Sequence, residues 1–269
     1  MDFGIDGKVA IVTGAGRYMG RAIALELASE GVRVGVNDLF AERAEAVAQE
    51  IRDRGGQAVA AVADVTDRTQ VADMVQSVRS ELGRIGILVN NAGLPPPIDE
   101  SDTFSARSQD FSDADESSWA RWVDVNYYGT LNCAKAVLPD MIEEQWGRIV
   151  SIISDAGRIG EPRQAVYAGA KAGIAGFSRS LAKEVGKHCI TVNCVSLGSV
   201  LHEEWVKEWG DRAEDRIERM KRVYPMARGL DRLGLPGDAA FAVACFCCAR
   251  AEWTTGQTVS VSGGYTMVP

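Results

Sequence analysis

Short apolar segments alternate along the chain with longer segments in which apolar side chains recur every three or four positions. The short segments, such as Val9 to Val12, are rich in β-branched residues, as is typical of buried parallel strands. They predict strands near residues 8–13, 32–37, 58–63, 86–90, 147–153, 190–196 and 257–262. The longer segments have the spacing of amphipathic helices. They predict helices over residues 18–30, 41–54, 68–82, 117–144, 166–186 and 236–249.

This alternation of strands and helices specifies a parallel sheet with helices on both faces. We therefore expect an α/β fold with a Rossmann-type, doubly wound parallel sheet of about seven strands, in one domain over residues 1–269. Two segments interrupt the alternation. Residues 94–118 carry seven carboxylates against one arginine, a net charge of −6, and are expected to form an extended acidic loop. Residues 199–234 follow the sixth strand.

The segment 199–234 contains an apolar stripe whose members recur at intervals of four, four, four, three and four residues, which indicates one helical face. The stripe consists of Trp205, Trp209, Ala213, Ile217, Met220 and Tyr224. Two interpretations are open. The stripe forms a lid that excludes water from a substrate, or it packs against the domain or a neighbouring subunit.

A glycine-rich turn separates the first predicted strand from the first predicted helix. Gly14, Gly16 and Gly20 allow the backbone to approach a pyrophosphate and point helix amides at it. Asp38 follows 24 residues after Gly14, where an acidic residue can bind the ribose hydroxyls of NAD. As an alternative, Asp38 caps the next helix. Arg17 is a candidate for the additional phosphate of NADP, but Asp38 repels that phosphate, so we expect NAD and a surface position for Arg17.

Tyr167 and Lys171 stand four residues apart, and Ser154 lies thirteen residues before the tyrosine. Residues four apart share one face of a helix, so the ammonium of Lys171 is expected beside the Tyr167 phenol. A cation about 4 Å away is worth roughly 4 kcal/mol, which corresponds to a lowering of the phenol pKa by about three units. The phenol then becomes an efficient general acid and base, and Ser154 orients the reacting oxygen.

Several motifs occur in order along the chain. They are Thr13-Gly14 to Gly20 as TGxxxGxG, Asp64 in AVADVT, Asn90-Asn91-Ala92-Gly93 as NNAG, Asn126 in WVDVNYYGT, Ser154 with Tyr167 and Lys171, and the tail TGQTVSVSGGY. With these motifs the chain resembles the short-chain dehydrogenase/reductase family over nearly its whole length. The resemblance implies an NAD-dependent oxidoreductase that transfers a hydride between nicotinamide and a secondary alcohol or ketone.

The family pattern also implies residue roles. The catalytic tetrad corresponds to Asn126, Ser154, Tyr167 and Lys171. The expected coenzyme contacts are Gly14, Arg17, Tyr18, Met19, Asp38, Asp64, Val65, Asn91, Ala92, Gly93, Tyr167, Lys171, Gly198, Val200 and His202. The expected substrate pocket comprises Leu94, Asp155, Ala156, Gln164, Leu197, Trp205 and Trp209. The resemblance further implies a homotetramer, formed in part by the last helix with its apolar sequence AAFAVACFCCA.

Three positions depart from the family pattern. Tyr18 occupies the place of the second glycine of the turn. After the sixth strand, Leu197 replaces the proline and His202 the threonine of the NxxxPGxxxT segment. The first departure requires the phenol of Tyr18 to point away from the pyrophosphate, and at His202 an imidazole either substitutes for a coenzyme-binding hydroxyl or faces solvent.

Composition narrows the functional classes. A net charge of −8 argues against a nucleic-acid or acidic-membrane surface, and no 18-residue apolar run suggests a membrane span. The six cysteines lie in apolar segments without ligand spacing and indicate buried, reduced residues of a cytoplasmic protein. With two histidines in the chain, a metal site is not expected.

The acidic segment and the apolar stripe together favour a neutral, bulky, alicyclic or aromatic substrate over a polyanionic thioester. Two alternatives remain open. One is a 3-oxoacyl thioester reductase or hydroxyacyl-CoA dehydrogenase with the same tetrad. The other, of a different class, is a non-catalytic NAD-binding sensor or scaffold.

Overall fold

Seven parallel strands form one sheet in the computed structural model, which describes residues 2–96 and 110–268, residues 204 and 205 by their backbone alone. The strands are β1 (Val9–Val12), β2 (Arg33–Asp38), β3 (Ala58–Val62), β4 (Ile87–Asn90), β5 (Gly147–Ser154), β6 (Ile190–Leu197) and β7 (Thr258–Val261). Their spatial order is β3-β2-β1-β4-β5-β6-β7. Every predicted strand is confirmed to within one residue at each end, and with it the doubly wound parallel sheet.

Helices connect the strands. They are α1 (Tyr18–Ser29), α2 (Ala41–Asp53), α3 (Arg68–Leu82), α4 (Ser117–Val123), α5 (Gly129–Glu144), α6 (Ala156–Ile159), α7 (Ala165–Val185), α8 (Glu203–Trp209), α9 (Ala213–Lys221), α10 (Pro225–Leu230) and α11 (Pro236–Cys247). Both faces of the sheet are covered: side chains of α1, α2 and α11 pack on one face, and those of α3, α5 and α7 on the other. Burial on both faces explains the continuous apolar runs of the strands.

The predicted helix 117–144 is wrong as one continuous α-helix. A π-helical turn, Asp124–Tyr128, separates α4 from α5. A π-turn has one more residue than an α-turn, so it rotates the residues on either side relative to each other. Asn126 lies inside this turn and is fully buried.

The stripe in segment 199–234 is not one helical face. Gly210 has a left-handed φ of +52° and begins a 3-10 turn, Gly210–Arg212, between α8 and α9. Ile217, Met220 and Tyr224 pack with other residues of the domain in a small apolar cluster. Because most members of this cluster belong to the segment itself, the packing fits both interpretations, and the lid stays a prediction. The acidic stretch 97–109, which contains most of the predicted loop, lies outside the described residues, as does the Trp205 side chain.

The cysteines are all free. Cys133, Cys194, Cys247 and Cys248 are buried as expected, whereas Cys245 is only partly buried and Cys189, in a turn with a left-handed φ of +57°, is exposed. Among residues 2–96 and 110–268, no helix is both long enough and apolar enough to cross a membrane.

Candidate active site

The turn after β1 is held rigidly against the end of β4. The Thr13 hydroxyl oxygen accepts the backbone amides of Asn91 and Ala92 at 2.9 and 3.0 Å. The Asn91 side chain donates in turn to the carbonyls of Thr13 and Gly14 at 2.9 and 3.1 Å. A β-carbon on Gly20 would lie 2.2 Å from the Gly14 oxygen, so only glycine allows α1 to start this close to the turn. The backbone amides around the turn therefore have fixed positions.

Two side chains at the end of β2 accept hydrogen bonds from the backbone amides of the glycine-rich turn. The amide of Gly14 donates to Asn37 Oδ1 at 3.3 Å, and the amide of Gly16 donates to Asp38 Oδ2 at 3.1 Å. Asp38 Oδ1 accepts the Phe40 amide at 3.1 Å, and Phe40 is itself the N-cap residue of α2. Helix capping by Asp38 is therefore the wrong alternative, and its carboxylate instead lines a cavity.

Asp64 and Val65 follow β3 and line the same cavity. The Asp64 carboxylate accepts both the amide and the hydroxyl of Thr66, at 2.9 and 2.8 Å, from the same oxygen atom, Oδ1. The Asp64 side chain therefore caps the local turn through one oxygen, while the residue also lines the cavity. The N-cap of α3 is Asp67, whose side chain accepts the amides of Thr69 and Gln70.

Ser154 and Tyr167 form a hydrogen-bonded pair. Ser154 ends β5, and its oxygen also accepts the Ala156 amide at 3.2 Å. Burial raises the pKa of Tyr167 above the usual 10.0, and the hydrogen bond with Ser154 partly opposes this rise. The predicted lowering of the phenol pKa by Lys171 is therefore wrong for the chain alone, because desolvation disfavours the phenolate more than its surroundings stabilise it.

Lys171 lies one turn after Tyr167 on α7 but does not contact its hydroxyl through any described hydrogen bond. Its ammonium donates to the Ile152 carbonyl at 2.8 Å and lies 5.7 Å from the centroid of the Tyr167 ring. The side chain is 4% exposed, and burial lowers the pKa of Lys171 to about 8. Near neutral pH this group can therefore gain or lose its charge.

Asn126 and Gly93 meet beside Lys171. The Asn126 amide donates to the carbonyls of Gly93 and Trp122 at 3.0 and 2.9 Å. A β-carbon on Gly93 would lie 2.8 Å from Asn126 Oδ1 and 3.1 Å from Lys171 Nζ, so glycine is needed for this approach. Asn126 Oδ1 is buried and accepts no hydrogen bond from the described residues. A buried acceptor of this kind is usually satisfied by water or a ligand.

The segment after β6 forms the opposite wall. Leu197, Gly198, Val200 and His202 all line the cavity. Val200 forms a parallel bridge with Gly234, which anchors the segment to the chain before α11. The His202 ring lies against that of Tyr18, with centroids 4.3 Å apart and an angle of 33° between the rings. His202 therefore does not simply face solvent.

Most of these groups line one cavity of ≈ 460 Å³, within the usual size range of a small-molecule site. Asn126 does not line it itself but contacts Gly93, which does. Asp38 lies toward one end, and Ser154, Tyr167 and Lys171 toward the other, across the junction of β1 and β4 where the strand order reverses. The expected coenzyme residues that line it are Gly14, Arg17, Tyr18, Met19, Asp38, Asp64, Val65, Asn91, Ala92, Gly93, Tyr167, Lys171, Gly198, Val200 and His202. The glycine turn with its fixed amides, together with the Asp38 carboxylate at one end, fits a dinucleotide.

Arg17 has a different position from the one expected. It is partly buried, lines the cavity and places its guanidinium 4.9 Å from the centroid of the Tyr18 ring. The expectation of a surface arginine is wrong because the turn folds Arg17 back over the tyrosine. Arg43 of α2 also lines this part of the cavity.

The expected substrate pocket is only partly brought together. Leu94 and Leu197 line the cavity. Asp155, Ala156, Gln164 and Trp209 do not line it. Asp155 faces the sheet edge instead and accepts the hydroxyls of Ser196 and Ser260 at 2.5 and 2.7 Å. Each change follows from side-chain direction, which spacing alone does not specify.

The Trp122 ring is a site component that the sequence analysis missed. It meets the Tyr167 ring edge-on, with centroids 5.4 Å apart and an interplanar angle of 72°. Trp122 lies four residues before Asn126, so its place on the same helical face was a usable signal. Pro95 and Arg121 also line the cavity that Leu94 lines.

Comparison with known proteins agrees with this architecture. The chain matches the family model for short chain dehydrogenase over residues 8–213. It is 37% identical over 262 residues to 3-oxoacyl-(acyl-carrier-protein) reductase FabG of Staphylococcus aureus, covering 97% of this chain and 98% of that protein. It is 34% identical over 265 residues to the (2S)-((R)-hydroxy(phenyl)methyl)succinyl-CoA dehydrogenase subunit BbsD of Thauera aromatica, covering 98% of both.

A solved structure has the same fold. It is a 7α-hydroxysteroid dehydrogenase in complex with NADH and 7-oxo glycochenodeoxycholic acid, with a TM-score of 0.85 and 32% sequence identity. The match covers 98% of this chain and 96% of that one.

Proposed function

The chain belongs to the short-chain dehydrogenase/reductase family and is an oxidoreductase that uses a nicotinamide coenzyme, and from this premise we propose that it interconverts bulky, neutral secondary alcohols and ketones with NAD. One observation carries the proposal: a single cavity joins Asp38, at the coenzyme end, to Ser154, Tyr167 and Lys171. Coenzyme and substrate can therefore meet in a space bordered by a proton-transfer group.

The bound nicotinamide supplies the site that accepts or donates the hydride. During oxidation, the substrate hydroxyl gives its proton to the Tyr167 oxygen while its carbon loses a hydride, and reduction reverses both transfers. Ser154 donates a hydrogen bond that orients the substrate oxygen. Lys171 positions the coenzyme ribose and adds positive charge near the phenol. The unpartnered Asn126 Oδ1 supports a role in binding water that returns the proton to solvent.

Asp38 supports NAD rather than NADP. Its carboxylate is 6% exposed, borders the cavity and has one described backbone donor on each oxygen. A second lone pair on each oxygen remains for a ribose hydroxyl, whereas a 2′-phosphate would bring like charges together. Arg17 and Arg43 oppose this preference because both cations line the same cavity.

Bulky ring substrates are favoured by the apolar lining near the proton-transfer group. Leu94, Pro95 and Leu197 line this side of the cavity, and the Trp122 ring contacts Tyr167. Burial of one apolar ring contributes about 2–3 kcal/mol to binding. Relatives of this chain are named for a steroid and for an acyl-carrier-protein substrate, which supports both classes of compound as candidates.

A thioester is the second candidate, favoured by a specific observation. The relatives at 37% and 34% identity are named for an acyl-carrier-protein substrate and a CoA substrate. Arg121 also lines the cavity and could meet a phosphate. A panel of alicyclic, aromatic, steroid and aliphatic alcohols and CoA esters, followed by NADH absorbance, separates the two. Preference for a hydroxyacyl-CoA by about a hundredfold over every ring alcohol would overturn the first candidate.

The same assay tests the non-catalytic alternative. An NAD-binding sensor would bind NADH and turn over none of the compounds. We propose activity because Ser154 and Tyr167 share a hydrogen bond and Lys171 lies on the same helix.

We further propose a homotetramer. Most of the apolar residues of α11 are buried within the chain itself, so the helix sequence is weaker support than expected. Phe241 on α11 and Val259 on β7, by contrast, are about half exposed at 55% and 46%. Light scattering at micromolar concentration tests the state, and a monomer would contradict it.

A further inference from the structure

Two residues that depart from the family pattern contact each other directly. Tyr18 replaces a glycine in the turn after β1, and His202 replaces a threonine in the segment after β6. Their ring centroids are 4.3 Å apart with an interplanar angle of 33°. Both rings line the cavity, from opposite walls. The two departures therefore form one structural feature that joins the walls.

Tyr18 has this position although its backbone conformation disfavours it. Its φ of +46° lies in the left-handed region, where glycine is free of strain and a bulky residue is costly by about 1 kcal/mol or more. The phenol oxygen is buried and has no hydrogen-bond partner among the described residues. The ring alone makes the described contacts, with His202 on one side and the Arg17 guanidinium 4.9 Å from its centroid. Strain of this kind is typical of functional positions.

His202 connects the ring pair to the helix that follows. It directly precedes α8, and its carbonyl accepts the Val206 amide at 3.4 Å. Burial, and then the charge of Arg17, lower the pKa of His202 to about 4, so the imidazole is neutral at pH 7. Its neighbour Leu201 donates to the Gly234 carbonyl at 2.8 Å, which secures the segment on its other side.

We propose that Tyr18 and His202 form a ring clamp that fastens the segment entering α8 to the dinucleotide turn and so slows release of the coenzyme. Both are positioning residues for coenzyme retention, and neither takes part in proton transfer. The clamp closes the cavity between β1 and β6, so the rings must separate before a bound dinucleotide can leave. This inference rests on the proposed use of NAD.

Stopped-flow fluorescence of NADH dissociation tests the clamp with matched variants. Tyr18→Asn removes the ring but suits a left-handed φ, while Tyr18→Phe keeps the ring and removes the unpartnered hydroxyl. His202→Thr and His202→Phe form the corresponding pair. An aromatic pair contributes enough to change a rate by about 3- to 10-fold. We expect Tyr18→Asn and His202→Thr each to accelerate dissociation by about this factor, and both Phe variants to keep the parent rate.

The double variant Tyr18→Asn/His202→Thr tests whether the two rings slow NADH release through their contact with each other. We expect it to release NADH no faster than either single variant, because both remove the same contact. Multiplying effects in the double variant, equal acceleration by Tyr18→Phe, or slower release by Tyr18→Asn would each overturn the clamp.

Limited proteolysis of the coenzyme-free protein separates failure of the clamp from failure of the proposed function. We expect faster cleavage between residues 203 and 230 in Tyr18→Asn than in the parent or Tyr18→Phe. If the parent binds no NADH, the proposed coenzyme is wrong, and this cleavage pattern still tests the clamp. Equal cleavage of all three proteins would overturn it whatever the coenzyme.

Discussion

The two ends of the cavity are built in different ways. At the proton-transfer end, side chains are attached to regular elements and make hydrogen bonds to backbone carbonyls, as Lys171 does to Ile152 and Asn126 to Gly93. At the other end, Tyr18 and His202 meet through their rings, one from a left-handed turn and the other from an irregular segment. Directional hydrogen bonds restrict position closely, whereas a ring contact tolerates small shifts. The proposed chemistry thus occupies the rigid end, and two of the three departures from the family pattern, Tyr18 and His202, occupy the adaptable end.

Removing the Tyr167 hydroxyl is expected to have the largest effect and sharpens this comparison. Tyr167→Phe retains the ring contact with Trp122 but removes the proton-transfer group. We expect turnover to fall by about 10³-fold, with NADH affinity unchanged. Steady-state kinetics and a fluorescence titration measure the two quantities. Turnover within tenfold of the parent would remove Tyr167 from the proposed mechanism.

Changing Asp38 tests the coenzyme end of the cavity, opposite the proton-transfer end. The parent is expected to have a kcat/KM with NAD roughly tenfold or more above that with NADP. Asp38→Asn keeps the side-chain shape, but its uncharged amide no longer repels a 2′-phosphate, so the ratio should fall by about tenfold. Asp64→Asn, near the same cavity, is the control and should leave the ratio close to that of the parent. A parent that prefers NADP would mean that Arg17 and Arg43 outweigh Asp38.

The pH dependence of turnover probes the proton-transfer end. Because burial raises the pKa of Tyr167 above 10.0, the phenolate needed for alcohol oxidation is scarce at neutral pH. The phenolate fraction increases with pH, while loss of the Lys171 charge above about pH 8 offsets part of this gain. We therefore expect kcat/KM for oxidation to increase only several-fold from about pH 7 to 9, and that for reduction to decrease. The residual activity of Tyr167→Phe should show neither trend. An oxidation profile that is flat over this range would contradict the assignment.

The smallest expected effect is that of His202, at the adaptable end, on the stability of the protein at acidic pH. The pKa of His202 is about 4 in the folded chain and about 6.5 when unfolded, so the unfolded chain binds the proton more readily between these values. This contribution to stability is fully present above pH 6.5 and is lost as the pH falls toward 4. The two pKa values correspond to about 2.6 kcal/mol over the range from pH 7 to 4.5. Because the ring is only partly buried, solvent screening reduces this effect, and His202→Phe should lessen the loss of unfolding free energy over that range by about 1 kcal/mol. Equal losses in urea titrations of both proteins would contradict the buried, neutral imidazole.

Local sequence was sufficient for the seven strands and for most of the cavity. Apolar runs place all seven strands within one residue, because a strand buried on both faces has few alternatives to an unbroken apolar run. The glycine turn, Asp38 and the Ser154–Tyr167–Lys171 spacing also predict residues that share the cavity. These groups follow strand ends or helical periodicity, which place them without knowledge of distant contacts.

Tertiary structure decided what depends on side-chain direction and on contacts between distant segments. The π-turn around Asn126, the inward rotation of Asp155 toward Ser196 and the contact of Tyr18 with His202 have no periodic signal. The Tyr167 pKa likewise depends on burial in the assembled fold, which reverses the shift that the spacing to Lys171 predicts. The sequence by itself thus determined the parallel sheet and the residues at its carboxyl edge. The directions of those side chains and the pKa of Tyr167 were decided only by the packed chain, because desolvation and ring contacts arise between segments that are far apart in sequence.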